Sequence, residues 1–301
     1  MPAISNVIAV LVRATFGLAI ASVTSVGYAH AIAGNRIFPA TMAVDDPGVG
    51  DELDFQFGHV RAPNDDGDTA SVNTWSANYS KTITPNLAVS IGDNYASQRV
   101  TGNPAVRGFD NVGLGIKYLV YVNPVHEFML SVGIDGAIGG SGSKAIGSSY
   151  STYTPTVYAG KGFGDLPDTL GWLKPFAITG TVGQQYASDS SVSNALNWGM
   201  TLQYSLSYLQ SFVKNVGLSK PFSNLIPVVE LAMSTCTSGS CSGRTTGTIN
   251  PGIIWESRTA QIGLEMQIPA NRASGRGIGV LLQTHFFFDD IFPKSIGKPL
   301  F

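Results

Sequence analysis

Residues 196–208 read Leu-Asn-Trp-Gly-Met-Thr-Leu-Gln-Tyr-Ser-Leu-Ser-Tyr, with every even position large and apolar or aromatic and every odd one small or polar. A β-strand sends successive side chains to opposite faces, so this segment has one apolar face and one built from Asn, Gly, Thr, Gln and Ser. Its length exceeds the usual strand of about five or six residues and the roughly 9–11 that cross a bilayer at a tilt. Lipid is the natural solvent for such a face.

The same period of two recurs along the chain. It picks out Leu53, Phe55, Phe57; Trp75, Ala77, Tyr79; Leu87, Val89, Ile91; Val112 to Val122 by twos; Phe128, Leu130, Val132, Ile134; and Tyr153, Pro155, Val157. The second half adds Phe176 to Val182, the 196–208 run, Pro227 to Met233, Ile249 to Trp255, Ile262 to Ile268 and Ile278 to Phe288. The pattern predicts about twelve strands. Ten or fourteen are the alternatives, because Pro155, Pro227 and Pro251 each remove a ladder donor. An even number returns the chain to its starting side, as in single-chain bacterial barrels. Loops rich in Gly, Ser, Asn or Asp fall at 61–69, 99–109, 139–150, 187–195, 234–248 and 270–277. The opposite ends are joined at 84–86, 123–124, 163–174, 210–224 and 256–260, the third and fourth being long enough for short helices. Short periplasmic turns and longer outside loops would then assign the two ends.

Composition narrows the class. Only 13% of the residues are charged against 44% hydrophobic, where a soluble domain carries about 25% charge. No helix-length apolar span occurs after the first thirty residues, so the expectation is an all-β protein, an antiparallel transmembrane β-barrel. The first 31 residues read as a signal peptide, with an apolar stretch from Val7 to Val26 broken by Arg13 and a small-x-small end at Ala29-His30-Ala31. A retained anchor is the alternative, since Arg13 is a poor positive n-region. The rest divides into a periplasmic segment (32–50), the barrel (51–290) and a tail (291–301). A formal charge of −2 leaves no basic footprint for nucleic acid.

If the apolar parity faces lipid, the opposite parity lines the lumen with Asp54, Gln56, Lys117, Asp135, Gln203, Glu230, Glu265, Gln283 and His285. These are the candidate ligand contacts. Around the 270–277 hairpin, facing residue numbers should sum to roughly 548 if the loop is symmetric, placing Glu265 near Gln283 and within reach of His285. Such a pair either binds a ligand or, as in most filled small barrels, braces the interior. Cys236 and Cys241 share a loop of small polar residues, and export would favour a disulfide between them over free thiols. No metal or cofactor is called for: the four His are scattered. The 64–68 run lacks the spacing of a calcium loop, and Gly160-Lys161-Gly162 lacks the hydroxyl residue of a phosphate loop. No catalytic motif is present, which disfavours an enzyme without excluding one.

Three stretches resemble a known family: Gly34-Asn35-Arg36-Ile37-Phe38-Pro39-Ala40 running into Val44-Asp45-Asp46-Pro47-Gly48, then Gly160-Lys161-Gly162-Phe163-Gly164-Asp165-Leu166-Pro167, and Phe286-Phe287-Phe288-Asp289-Asp290-Ile291-Phe292-Pro293 leading to Phe301. They are similar to the proteobacterial outer-membrane proteins associated with the meta-pathway of phenol degradation, described as transporters. The resemblance implies a Gram-negative outer-membrane channel for passive diffusion of hydrophobic or aromatic small molecules. Its expected partners are outer-membrane lipid, a small-molecule solute and, during biogenesis, the barrel-assembly machinery that reads a C-terminal Phe. The rival expectation is a structural or surface-interaction protein with a filled lumen, which closure by the 32–50 segment would favour.

Overall fold

The structure, a computed structural model, describes residues 31–63 and 69–301. The signal-peptide expectation, up to its last residue, and the 64–68 run lie outside the described residues. A small hairpin, β1 (Ala31–Ala33) and β2 (Arg36–Phe38), forms a sheet of its own. Then come β3 (Glu52–Pro63), β4 (Thr69–Thr84), β5 (Leu87–Val100), the short β6 (Val106–Phe109), β7 (Gly113–Asn123), β8 (Phe128–Ala137) and β9 (Thr152–Gly162). The chain continues through β10 (Phe176–Ala187), β11 (Ala195–Tyr204), β12 (Leu225–Cys236), β13 (Thr245–Glu256), β14 (Ala260–Pro269) and β15 (Ile278–Phe287). Each strand from β7 onward pairs antiparallel with the next, and β15 pairs with β3 from Ile278↔Arg61 to Phe287↔Glu52, which closes a barrel of twelve strands. The short β6 is an addition: β5 pairs with β7 over Leu87–Gly92 and with β6 over Tyr95–Gln98.

Alternation decides which way each strand faces. Outward residues such as Ile116 (54% exposed), Ile134 (55%) and Val182 (54%) form an apolar surface around the barrel. Each would cost roughly 25 cal/mol per Å² in water, and a patch of this extent marks a membrane-facing surface. A ten-residue strand tilted by about 45° rises about 23 Å, close to the apolar band of such barrels. Pro155, Pro227 and Pro251 all lie within strands on this outer face, so the count stays at twelve.

Two sequence expectations give way. The 196–208 run stops being a strand at Tyr204, because Ser205 caps a helical turn by accepting a hydrogen bond from the Tyr208 amide at 3.2 Å. Tyr208, expected on the lipid face, is instead buried. In β7 a bulge between Leu119 and Tyr121 leaves both Val120 and Tyr121 exposed and turns Val122 inward, opposite buried Met129. One extra residue reverses parity beyond it. The connections at 163–174 and 205–224 carry short helical turns. The tail returns to the base of β4, where the amides of Leu300 and Phe301 donate to the carbonyls of Thr82 and Ile83.

Candidate functional site

Residues 31–51, which include the expected periplasmic segment 32–50, are folded into the terminus-bearing half of the barrel. Their β1–β2 turn is Gly34-Asn35, with Gly34 at φ +64°, and a Cβ there would meet the Pro124 carbonyl oxygen. Only glycine combines this conformation with so close an approach. Phe38, 1% exposed, packs with Ala31, Ala33, Met129 and Ala177. Burying such a ring contributes about 2–3 kcal/mol.

Arg36 anchors the hairpin. Its Nε lies 3.2 Å from Glu127 Oε2, Nη1 donates to the Pro175 carbonyl at 2.9 Å and Nη2 to that of Lys174 at 2.5 Å. The guanidinium stacks over the Tyr208 ring, 4.0 Å from its centroid, and the Tyr208 hydroxyl donates to Glu127 Oε1 at 2.7 Å. Burial, then the Glu127 carboxylate, push the Tyr208 phenol up to about 12, so it keeps the proton it donates. Glu127 sits in a left-handed conformation, φ 46°. A non-glycine residue there is strained, and the contacts to Arg36, Tyr208 and the Gly164 amide offset that strain.

Higher in the barrel the strands grip the extended chain. Glu230 accepts the amides of Met42, Ala43 and Val44 at 2.8, 2.9 and 2.5 Å. Lys117 donates to Asp45 Oδ2 at 2.7 Å and the Asp46 carbonyl at 3.1 Å, Gln56 to the Met42 carbonyl at 3.3 Å and Ser131 to the Pro47 carbonyl at 2.6 Å. Gln261 donates to the Ala40 carbonyl and, at 2.9 Å, to Gln283 Oε1. An unpaired backbone amide or carbonyl inside a barrel is costly, and these side chains supply the missing partners.

Above the segment, a cavity of about 510 Å³ is lined by Asp45, Asp46, Glu52, Asp54, Gln56, Lys117, Asp135, Gln283 and His285, among others. A second, of about 640 Å³, lies toward the outside loops and shares Asp54, Gln56, Asn78, Ser90 and Asp135 with the first. Its lining adds Asp93, Asp110, Asn94 and Asn111, and none of the described residues lining it is Lys or Arg. The column is polar and carries carboxylates along its length, and its basic groups, Lys117 and His285, face the inner cavity alone among the described residues.

The nine expected lumen residues thus divide. Asp54, Gln56, Lys117, Asp135, Gln283 and His285 line the cavity, whereas Gln203, Glu230 and Glu265 are buried away from it. The Glu265–His285 pairing does not form. The hairpin register is Gly263↔Gln283 and Glu265↔Leu281, two residues from the expected one. A slip of two preserves every face, so alternation could not detect it. His285 instead bridges Asp54 (Nδ1–Oδ1 3.3 Å) and Glu52 (Nε2–Oε2 3.2 Å), and Glu265 stands beside Glu230 and Asn250. Asp135 accepts from the Tyr158 hydroxyl at 2.7 Å. Cys236 and Cys241 are disulfide-bonded, Cα–Cα 5.8 Å, at the β12–β13 loop. Sequence reading missed Arg36, Glu127, Tyr208, Gln261 and Ser131. The last two have inward parity on β14 and β8 and were open to detection; the first three lie outside any alternating run that points inward.

The closed sheet, apolar outer surface and polar interior define a transmembrane β-barrel of the outer-membrane type, whose place is the outer membrane of a Gram-negative cell. No family model and no curated protein matches the chain. Among solved structures, the COG4313 outer membrane channel from Pseudomonas putida F1 is similar at TM-score 0.56 and 11% identity, over 84% of this chain and 100% of that one. The NanC porin is similar at TM-score 0.50 and 9% identity, over 78% and 98% of the two chains. At such identity the likeness is one of fold.

Proposed function

We propose that the protein is an outer-membrane channel through which small solutes diffuse passively, with residues 31–51 setting the width of the path. The observation that carries this reading is the stacking of two polar cavities through shared residues inside a closed barrel. Nothing in the reading makes or breaks a bond. The resemblance to the phenol meta-pathway proteins points to aromatic solutes, and the amides, hydroxyls and carboxylates of the lining favour those that also hydrogen-bond. Hydroxylated aromatics meet both conditions, while the acidic outer cavity disfavours aromatic carboxylates. Biogenesis would pass through the barrel-assembly machinery.

A second reading, a structural outer-membrane protein with a filled lumen, is favoured by the number of strands that hold residues 40–47. Flux into liposomes separates the two. Refolded protein should admit phenol faster than toluate and faster than small sugars, relative to empty liposomes and heat-denatured protein. Equal rates in all preparations would leave the structural reading standing.

A further inference from the structure

The outer face of β3–β6 is layered in a way that neither the lumen nor the apolar belt requires. One row runs Leu282–Phe57–Trp75–Tyr95–Phe109 across β15, β3, β4, β5 and β6. Its rings touch in sequence, with centroid separations of 5.4, 5.9 and 5.2 Å. Aromatic rows of this kind mark the interface between acyl chains and head groups. Two residues farther toward the loops the register brings Val280, His59, Asn73, Ser97 and Arg107 together, and two farther still Ile278, Arg61, Ser71 and Arg99. The arginines therefore stand about 7 and 13 Å along the strands beyond the rings.

All three arginines are exposed, and among the described residues none has an ion-pair partner. They are also the only arginines that β3 to β15 carry. A chain with so few charges has placed every arginine of its barrel strands on one outward patch above one ring ladder. The adjoining β14–β15 loop adds Arg272 and Arg276, also exposed.

We propose that this patch binds the phosphate groups of a phosphorylated glycolipid of the outer leaflet, a proposal that rests on the outer-membrane placement and is independent of solute passage. The guanidinium fork matches a phosphate in two parallel hydrogen bonds. The ring ladder and the flanking Val280 and Leu282 offer the surface on which the acyl chains of the same molecule lie. A soluble phosphate or an acidic protein would use the arginines and leave the apolar surface below them unused, so the continuity of the two layers selects a lipid.

The test uses refolded protein in neutral detergent micelles, titrated with bisphosphorylated lipid A, its dephosphorylated form and phosphatidylglycerol, with bound lipid counted by native mass spectrometry. The expected result is preferential binding of bisphosphorylated lipid A and loss of about a hundredfold in affinity for the R61Q/R99Q/R107Q variant, with about fivefold for R99Q alone. All substitutions are on exposed positions, and heat-modifiable gel mobility reports that each variant is folded. Unchanged affinity in the folded triple variant, equal affinity for the dephosphorylated form, or equal affinity for phosphatidylglycerol would each overturn the assignment.

Discussion

Replacing Arg36 by Ala tests whether the N-terminal segment is a separable element held by side chains. The β1–β2 hairpin has no ladder pairing with the barrel, so its attachment at this end depends on the Arg36 site and the small apolar cluster around Phe38. Arg36 is 1% exposed and the Glu127 side chain 5%. Removing one partner of a buried ion pair costs about 3–5 kcal/mol. The loss also strands two carbonyls and a ring contact, but these belong to one network and do not add. About 4 kcal/mol corresponds to nearly a thousandfold rise in the ratio of undocked to docked hairpin. The barrel ladder is untouched, so the cost should appear as local opening rather than unfolding. Thermolysin cleavage on the N-terminal side of Ile37 measures it, since cleavage tracks the open population when closing is fast. R36A should be cut some hundredfold to a thousandfold faster than the unaltered protein, with barrel melting little changed. A cleavage rate within about threefold of the unaltered protein would refute the reasoning, because the ion pair would then contribute nothing to docking.

Gly34→Ala should open the same hairpin by a different route, since it combines a left-handed φ of +64° with a Cβ aimed at the Pro124 carbonyl; a cost above about 1 kcal/mol predicts at least fivefold faster cleavage. At the barrel base, burial and then the Asp51 charge push the Asp289 carboxyl up to about 8. A carboxyl raised in the folded state holds its proton there while the unfolded chain has lost it, so this contribution is full below about pH 4 and is lost as pH rises toward about 8. The melting temperature should fall across that window more steeply than in Asp289→Asn, and identical pH profiles would contradict it. Removing the Cys236–Cys241 bridge as the double Ala variant should cost about 2 kcal/mol on the loop-closure account, read as faster proteolysis confined to 237–244 with the barrel intact.

The strand pattern was legible because alternation is a local property. Each outward Ile, Val or Trp declares its face from its immediate neighbours, and burial on one side fixes parity against any slip of one residue. That was enough to give the twelve strands, to turn Asp54, Gln56, Lys117, Asp135, Gln283 and His285 toward the cavity, and to leave the loops where the turn formers cluster. It was not enough where one residue breaks the period, as at the β7 bulge that turns Val122 inward, or where a side chain competes for the backbone, as Ser205 does in ending β11.

What only the tertiary structure decided depends on contacts far apart in the chain. Register along β14–β15 changes by two without altering a single face, so the replacement of the Glu265–His285 pair by His285 with Asp54 and Glu52 was invisible to the pattern. The course of residues 31–51 was equally hidden. Their short strands alternate too briefly to announce a partner, and Glu230, which holds Met42, Ala43 and Val44, lies 186 to 188 residues away. A sequence displays which groups need partners; the folded barrel settles which partners come within reach.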